Sequence, residues 1–160
     1  MKIVKLDAHT LTREQFRQIV QIEKNCGLEP YTPEMLLECI KDMDTYACMD
    51  GNTVAGFITI HASTRYLGGG VYIVNLNVAK PYRRQGIGEK LMKTACGYYS
   101  KTHAGNLIIL DVAKDNTAAM SLYKKLGFKI TDLPSGNGET DVVMIKPLDE
   151  MRQNNDPSGN

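Results

Sequence analysis

The chemistry of this 160-residue chain is most concentrated in one short segment, Arg83-Arg84-Gln85-Gly86-Ile87-Gly88. The arginines supply positive charge, and Gly86 and Gly88 carry no Cβ to block the approach of an anion's oxygens. An apolar strand-like run precedes the segment and an amphipathic run follows it, so it should open a helix. The first backbone N–H groups of a helix have no intrahelical acceptor, and its dipole makes that end positive. Such a place binds anions, and a pyrophosphate suits it. For a bare G-x-G a tight turn with solvated arginines would be the better reading; the strand before, the helix after and the arginines beside it favour the anion site. Two other phosphate loops do not fit. A Walker loop needs G-x-x-x-x-G-K-S/T, which is absent. The dinucleotide fingerprint G-x-G-x-x-G fails because Leu91 stands at the third glycine.

A second candidate is Asp111, a carboxylate in the otherwise apolar run Leu107-Ile108-Ile109-Leu110-Asp111-Val112. Partial burial would raise its pKa toward a value useful to a general base. The plainer alternative, equally open, is a strand-end carboxylate touching water or capping a backbone group.

The elements that must position these residues follow from spacing. Lys2 to Leu6 suits a short first strand. Thr12-Arg13-Glu14-Gln15 has the form of a capping box, with Phe16, Ile19, Val20 and Ile22 at helical spacing behind it. Cys26-Gly27 is expected to end that helix. Thr32 as N-cap, Pro33 at the first helical position and Glu34 in the first turn open another, with Met35, Leu36, Cys39, Ile40 and Met43 as its apolar stripe. Thr45 to Met49 and Thr53 to His61 read as strands joined across Asp50-Gly51-Asn52. A loop over Ser63 to Gly70 leads to a strand over Val71 to Val78, which Pro81 closes. The helix after the glycine segment has the stripe Ile87, Leu91, Ala95 and Tyr98. Leu107 to Val112 is a buried strand. Asn116 caps a helix over Thr117 to Leu126, and Gly127 follows its C-terminal end. Phe128 to Thr131 and Val142 to Lys146 finish the sheet around the loop Pro134 to Gly138. Hairpins in front and strand-helix-strand units behind imply a mixed sheet with helices on both faces.

Bulk properties narrow the function classes. A 42% hydrophobic and 23% charged content is that of a globular chain, and the length suits a single domain over residues 1–148. The polar stretch 149–160 is expected to be a disordered tail. A balance of 19 basic against 18 acidic residues lacks the basic excess of a nucleic-acid binder. No apolar run reads as a signal peptide or approaches the roughly 20 residues of a membrane-spanning helix. Cys26, Cys39, Cys48 and Cys96 show no C-x-x-C pair and read as buried free thiols, which makes the cytoplasm the expected compartment. With His9, His61 and His103 equally scattered, no metal site is expected.

Two motifs in order carry a resemblance to the GNAT superfamily of N-acetyltransferases. Its acetyl-CoA motif R/Q-x-x-G-x-G/A is matched by Arg83, Gly86 and Gly88, behind the similar strand Leu76-Asn77-Val78-Ala79-Lys80-Pro81-Tyr82. Its second signature, N-x-x-A-x-x-x-Y-x-x-x-G-F, is similar to Asn116 through Phe128. The spacing is most similar to the branch that acetylates a ribosomal-protein alanine. The resemblance runs from Lys2 to Pro147 and implies an α/β, mixed α+β fold. Its central sheet would be mixed, mostly antiparallel, of about seven strands flanked by about four helices.

The same resemblance implies roles. Acetyl-CoA would be the co-substrate, with no metal. Its pyrophosphate would lie on Arg83, Arg84, Gln85, Gly86, Ile87 and Gly88. The pantetheine arm would lie in a gap beside Leu76, Asn77 and Val78, where one N–H would polarise the acetyl carbonyl like an oxyanion hole. Asn116 would contact the cofactor. Tyr123, protonated at neutral pH with an ordinary pKa of about 10, would protonate the departing sulfur. Without the resemblance, helical spacing alone favours a tyrosine packed on the sheet. Asp111 stands where that branch has a catalytic glutamate and would take the amine proton, directly or through water. A base on the strand before the loop, as in other members, finds only Tyr72 and is not supported.

The acceptor remains open. Glu29, Glu34, Glu38, Asp42 and Asp44 in the front helices, and Asp132, Glu139 and Asp141 near the last hairpin, would suit a small cationic amine. A solvated helix face explains the same charges, and is the favoured reading. The expected function is acetyl transfer from acetyl-CoA to a primary amine in a ternary complex. The alternatives are a protein N-terminal or lysine acetyltransferase and a non-catalytic acyl-CoA-binding module. Neither nucleic acid nor membrane is an expected partner, and a homodimer is compatible with the sequence.

Overall fold

The computed structural model describes residues 1–26, 29–63, 69–102 and 105–148. The expected roles of Gly27, of most of the loop after Ser63, of His103 and of the tail 149–160 therefore lie outside the described residues.

The element order is the one expected. Strand β1 (Lys2–Lys5) is followed by helices α1 (Arg13–Lys24) and α2 (Pro33–Asp42) and strands β2 (Asp44–Asp50), β3 (Thr53–Ser63) and β4 (Gly70–Val78). Helix α3 (Ile87–Thr102), β5 (Leu107–Ala113), α4 (Thr117–Lys125), β6 (Lys129–Ile130) and β7 (Asp141–Pro147) complete it. The seven strands form one mixed sheet in the order β1-β2-β3-β4-β5-β7-β6. Its β4–β5 pairing is parallel, whereas β1–β2, β2–β3, β5–β7 and β6–β7 are antiparallel.

The helix starts lie where side-chain caps put them. The Gln15 N–H donates to Thr12 Oγ1 at 3.1 Å and the Thr12 N–H to Gln15 Oε1 at 3.0 Å, a reciprocal capping box. Thr32 caps α2 by accepting from the Met35 N–H at 3.3 Å, with Pro33 opening the helix. Asn116 caps α4, its Oδ1 accepting from the Ala119 N–H at 3.2 Å.

The chain divides into two compact units, one of Met1–His61 with Val74–Ala95, the other of Ala62–Ile73 with the chain from Cys96 onward. In the first, Ile19 and Ile22 of α1 and Leu36 and Ile40 of α2 pack with Ala47, Met49, Val54 and Phe57 of the strands. In the second, Ile108, Ile109, Leu110, Val143, Met144 and Phe128 are buried. The parallel ladder runs from Gly70↔Leu107 to Ile73↔Leu110. A Cβ at Gly70 would stand 2.2 Å from the Leu107 carbonyl oxygen, so only glycine lets β4 enter that ladder.

The stripe of α3 needs one correction. Tyr98 is 51% exposed, while Tyr99 is buried and its hydroxyl donates to the Gly70 carbonyl at 2.9 Å. Met92 and Cys96 are buried along with Leu91, Ala95 and Tyr99, so the packed face of α3 is turned toward the Met92 row and Tyr98 falls at its exposed edge. The thiols are free as expected, but Cys26 is only half-buried.

Candidate functional site

The first unit carries the glycine segment. Gly86 has φ +75°, a conformation that favours glycine, and a Cβ built there meets nothing within 4 Å. Its carbonyl accepts from the Lys90 N–H at 3.0 Å, so Gly86 sits at the cap of α3, with Ile87 and Gly88 in the first turn. Arg84 is the one described non-glycine residue with positive φ, +63°. Left-handed backbone costs an ordinary residue roughly 1–2 kcal/mol. The strain lies in the turn that leads into α3. The Gln85 amide donates to the Pro81 carbonyl at 3.1 Å, closing the turn ahead of α3.

The two arginines of the segment differ. Arg83 turns back: its Nε donates to the Val78 carbonyl at 3.0 Å, and its Nη2 to the Asn25 carbonyl at 3.3 Å and the Cys26 Sγ at 3.4 Å. It braces the end of β4 against the end of α1. Arg84 makes no hydrogen bond or ion pair among the described residues and is exposed, so its charge remains at the helix start. Leu76, Asn77 and Val78 are half-buried at the end of β4. The Asn77 Nδ2 donates at 2.5 Å to Glu23 of α1, a buried carboxylate that the sequence reading passed over.

The second unit carries the proton-handling candidates. Asp111 is half-buried on β5, and the Tyr72 hydroxyl donates to its Oδ2 at 2.5 Å. Tyr72 stands opposite Ile109 in the parallel register, so Asp111 is its diagonal neighbour on the same face of the sheet, within reach of a phenol. Sequence reasoning set Tyr72 aside as a base; the structure makes it a partner of the base candidate. The signal was the parallel pairing of two strands 39 residues apart at these positions, which sequence spacing does not reveal.

Tyr123 is buried on α4, its ring edge-on to Phe128 with centroids 5.7 Å apart. Burial pushes its phenol up to about 12. The group is therefore protonated at neutral pH and can act only as a donor. Asn116, at the start of the same helix, is exposed, with its Oδ1 engaged in the cap.

The acidic residues divide as well. Glu29, Glu34, Glu38 and Asp42 are exposed, while Asp44 pairs with Lys5 at 2.5 Å. Asp132 and Glu139 are exposed, and Asp141 accepts from the Asn137 amide at 3.0 Å. Most of these carboxylates simply face solvent. Among the described residues no group of three or more His, Cys, Asp or Glu side chains could hold a metal ion, and no helix is long and apolar enough to cross a membrane.

Comparison with known proteins adds relatives to this geometry. The profile of the Acetyltransferase (GNAT) family matches residues 13–128. An N-alpha-acetyltransferase of Sulfurisphaera tokodaii is 28% identical over 145 residues, covering 82% of this chain and 86% of that protein. A mycothiol acetyltransferase of Corynebacterium glutamicum is 33% identical over 92 residues, 58% of this chain; the match spans only 30% of that relative's length. Two solved structures share the fold. The ribosomal-protein-S18-alanine N-acetyltransferase of Escherichia coli has a TM-score of 0.71 at 20% identity, covering 92% of this chain and 93% of its own. NAA60 of Arabidopsis thaliana, solved with acetyl-CoA, has a TM-score of 0.72 at 19% identity, covering 92% and 98%. The mixed, mostly antiparallel seven-stranded sheet with four helices is thus the fold of these acetyltransferases.

Proposed function

The chain belongs to the GNAT family of acetyltransferases, and on that premise we propose that it transfers the acetyl group of acetyl-CoA to a primary amine by direct attack. The observation that carries the donor half is the cap of α3. Gly86 holds a left-handed turn with open space before it, at the positive end of a sixteen-residue helix, with Arg84 beside it. The pyrophosphate lies on the N–H groups of Arg84, Gln85, Gly86, Ile87 and Gly88, and Arg83 acts by bracing the end of β4. The pantetheine arm lies along the backbone of Leu76, Asn77 and Val78, and Asn116 contributes a cofactor contact.

The proton steps fall to the second unit. The amine nitrogen attacks the thioester carbon, and the C–S bond breaks as the N–C bond forms. Asp111, held by Tyr72, takes the proton that the amine loses, directly or through water. Tyr123 donates to the departing sulfur. A thiol has a pKa of about 8.5, so passing a proton from a phenol near 12 runs uphill unless it is coupled to the amine's deprotonation. The donation and the proton uptake therefore act in concert.

A small cationic amine suits the exposed carboxylates that each unit carries. The α-amine of a protein N-terminus is the second reading, favoured by the N-alpha-acetyltransferase relative that covers most of this chain. Free-thiol release from acetyl-CoA, measured with spermidine and with a tetrapeptide bearing a free N-terminus, tests the activity and separates these acceptors. Release with neither amine would leave an acyl-CoA-binding module. Gly86→Glu should abolish acetyl-CoA binding in calorimetry with the circular dichroism unchanged; retained affinity would remove the pyrophosphate assignment.

A further inference from the structure

Glu23 lies in the last turn of α1 and is 6% exposed, beside the apolar side chains of Ile19 and Ile22 on the same helix. A carboxylate there is disfavoured twice, by loss of water and by the negative end of the helix dipole. Desolvation raises its pKa above the ordinary carboxylate value, partly offset by two hydrogen bonds. No ion pair of Glu23 occurs among the described residues. Its oxygens instead join two separate parts of the first unit. Oε1 accepts the Tyr31 N–H at 3.0 Å, at the approach to α2, and Oε2 accepts Asn77 Nδ2 at 2.5 Å, at the end of β4.

A second tie runs alongside. Arg83, at the start of the glycine segment, holds the Asn25 carbonyl past the end of α1 and the Val78 carbonyl at the end of β4. Two consecutive residues of β4, Asn77 and Val78, are thus fixed from the same helix end. These are the residues whose backbone the acetyltransferase reading places against the thioester arm.

We infer that Glu23 is a positioning residue for acetyl transfer, holding the Asn77 end of β4 and the Tyr31 approach to α2 in one geometry. The inference rests on the acetyltransferase reading, because it gives a polarising role to the backbone at Asn77, whose side chain Glu23 holds. A buried carboxyl of this kind is costly in an apolar core, and its two hydrogen bonds offset part of that cost. Its two acceptor oxygens meet two donors from different elements, which no apolar side chain of equal size reproduces.

The test compares Glu23→Met, Asn77→Asp and the double variant Glu23→Gln with Asn77→Asp, each confirmed as folded by circular dichroism. Thiol release is followed with spermidine and with the free tetrapeptide, and acetyl-CoA affinity by calorimetry. Asn77→Asp sets two carboxylates face to face. The double variant restores one amide–carboxylate hydrogen bond with the donor moved to the other side, and leaves a Gln oxygen for the Tyr31 N–H. Misplacement of reacting groups by 1 Å can cost 10²-fold, so we expect kcat to fall about tenfold or more in Glu23→Met and in Asn77→Asp. Acetyl-CoA affinity should change far less than kcat, and the double variant should recover most of the lost turnover. Wild-type kcat in Glu23→Met, or a double variant no better than Asn77→Asp alone, would overturn the inference while leaving the acetyltransferase reading in place. If Glu23→Met does not fold, the comparison of Asn77→Asp with the double variant decides. Absence of thiol release by the wild-type protein with either amine would overturn that reading, and the role of Glu23 with it.

Discussion

The hydroxyl of Tyr72 on β4 donates a 2.5 Å hydrogen bond to the carboxylate of Asp111 on β5, two residues that the parallel register sets diagonally on one face of the sheet. The bond fixes the orientation of Asp111 and leaves it acceptor capacity for a proton. It converts a lone carboxylate in an apolar strand into a held one. If Asp111 is the base, Asp111→Asn should lower kcat/KM by about 10²-fold, the usual size of a general-base contribution. Tyr72→Phe should lower it less, by about tenfold, with acetyl-CoA affinity in calorimetry unchanged for both. An Asp111→Asn variant with wild-type turnover would remove the carboxylate from the reaction.

Tyr123 makes a prediction about stability in alkali. Its folded pKa of about 12 lies above the ordinary 10. The unfolded chain therefore loses this proton first as pH rises, and stability falls between pH 10 and 12. The contribution is fully present below pH 10 and is lost through the folded value, amounting to about 2 to 3 kcal/mol. Cys96, pushed by burial from 9.0 to about 12, adds a loss that begins one unit earlier. Urea unfolding at pH 9 and 11 should show a smaller decline for Tyr123→Phe than for the wild type. An equal decline would place the titration elsewhere.

Arg84 combines backbone strain with charge, and one substitution separates them. Arg84→Gly removes the left-handed penalty at φ +63° and should raise stability by about 1 kcal/mol in chemical denaturation. It also removes a cation from the start of α3. Acetyl-CoA affinity should therefore fall severalfold at low salt, and the difference should shrink at high salt as the charge is screened.

Asn116 holds two candidate roles that differ in chemistry. As the cap of α4 it needs only a side-chain oxygen, so Asn116→Asp should keep stability whereas Asn116→Ala should lose about 1 kcal/mol in thermal unfolding. As a cofactor contact the amide donates, and Asp cannot. Weakened acetyl-CoA binding in Asn116→Asp at unchanged stability would isolate the cofactor role; unchanged binding would leave Asn116 as a cap alone.

These residues show which features the sequence determined by itself. Thr12 with Gln15, Thr32 with Pro33, and Asn116 with Ala119 act over three residues or fewer, so the local pattern already specifies the helix starts. Gly86 belongs with them, because a helix cap needing φ +75° selects glycine wherever the rest of the chain lies. The order of strands and helices followed from the same local rules together with the family motifs. The tertiary structure decided the rest. Which tyrosine of α3 is buried depended on the face that packs, and Tyr99 bonds to Gly70, 29 residues away. Glu23 meets Asn77 across 54 residues, Arg83 turns toward Asn25 across 58, and Tyr72 meets Asp111 across 39. Such partners are fixed only when strands pair in register and a helix end docks, since side-chain direction alternates along a strand and rotates along a helix.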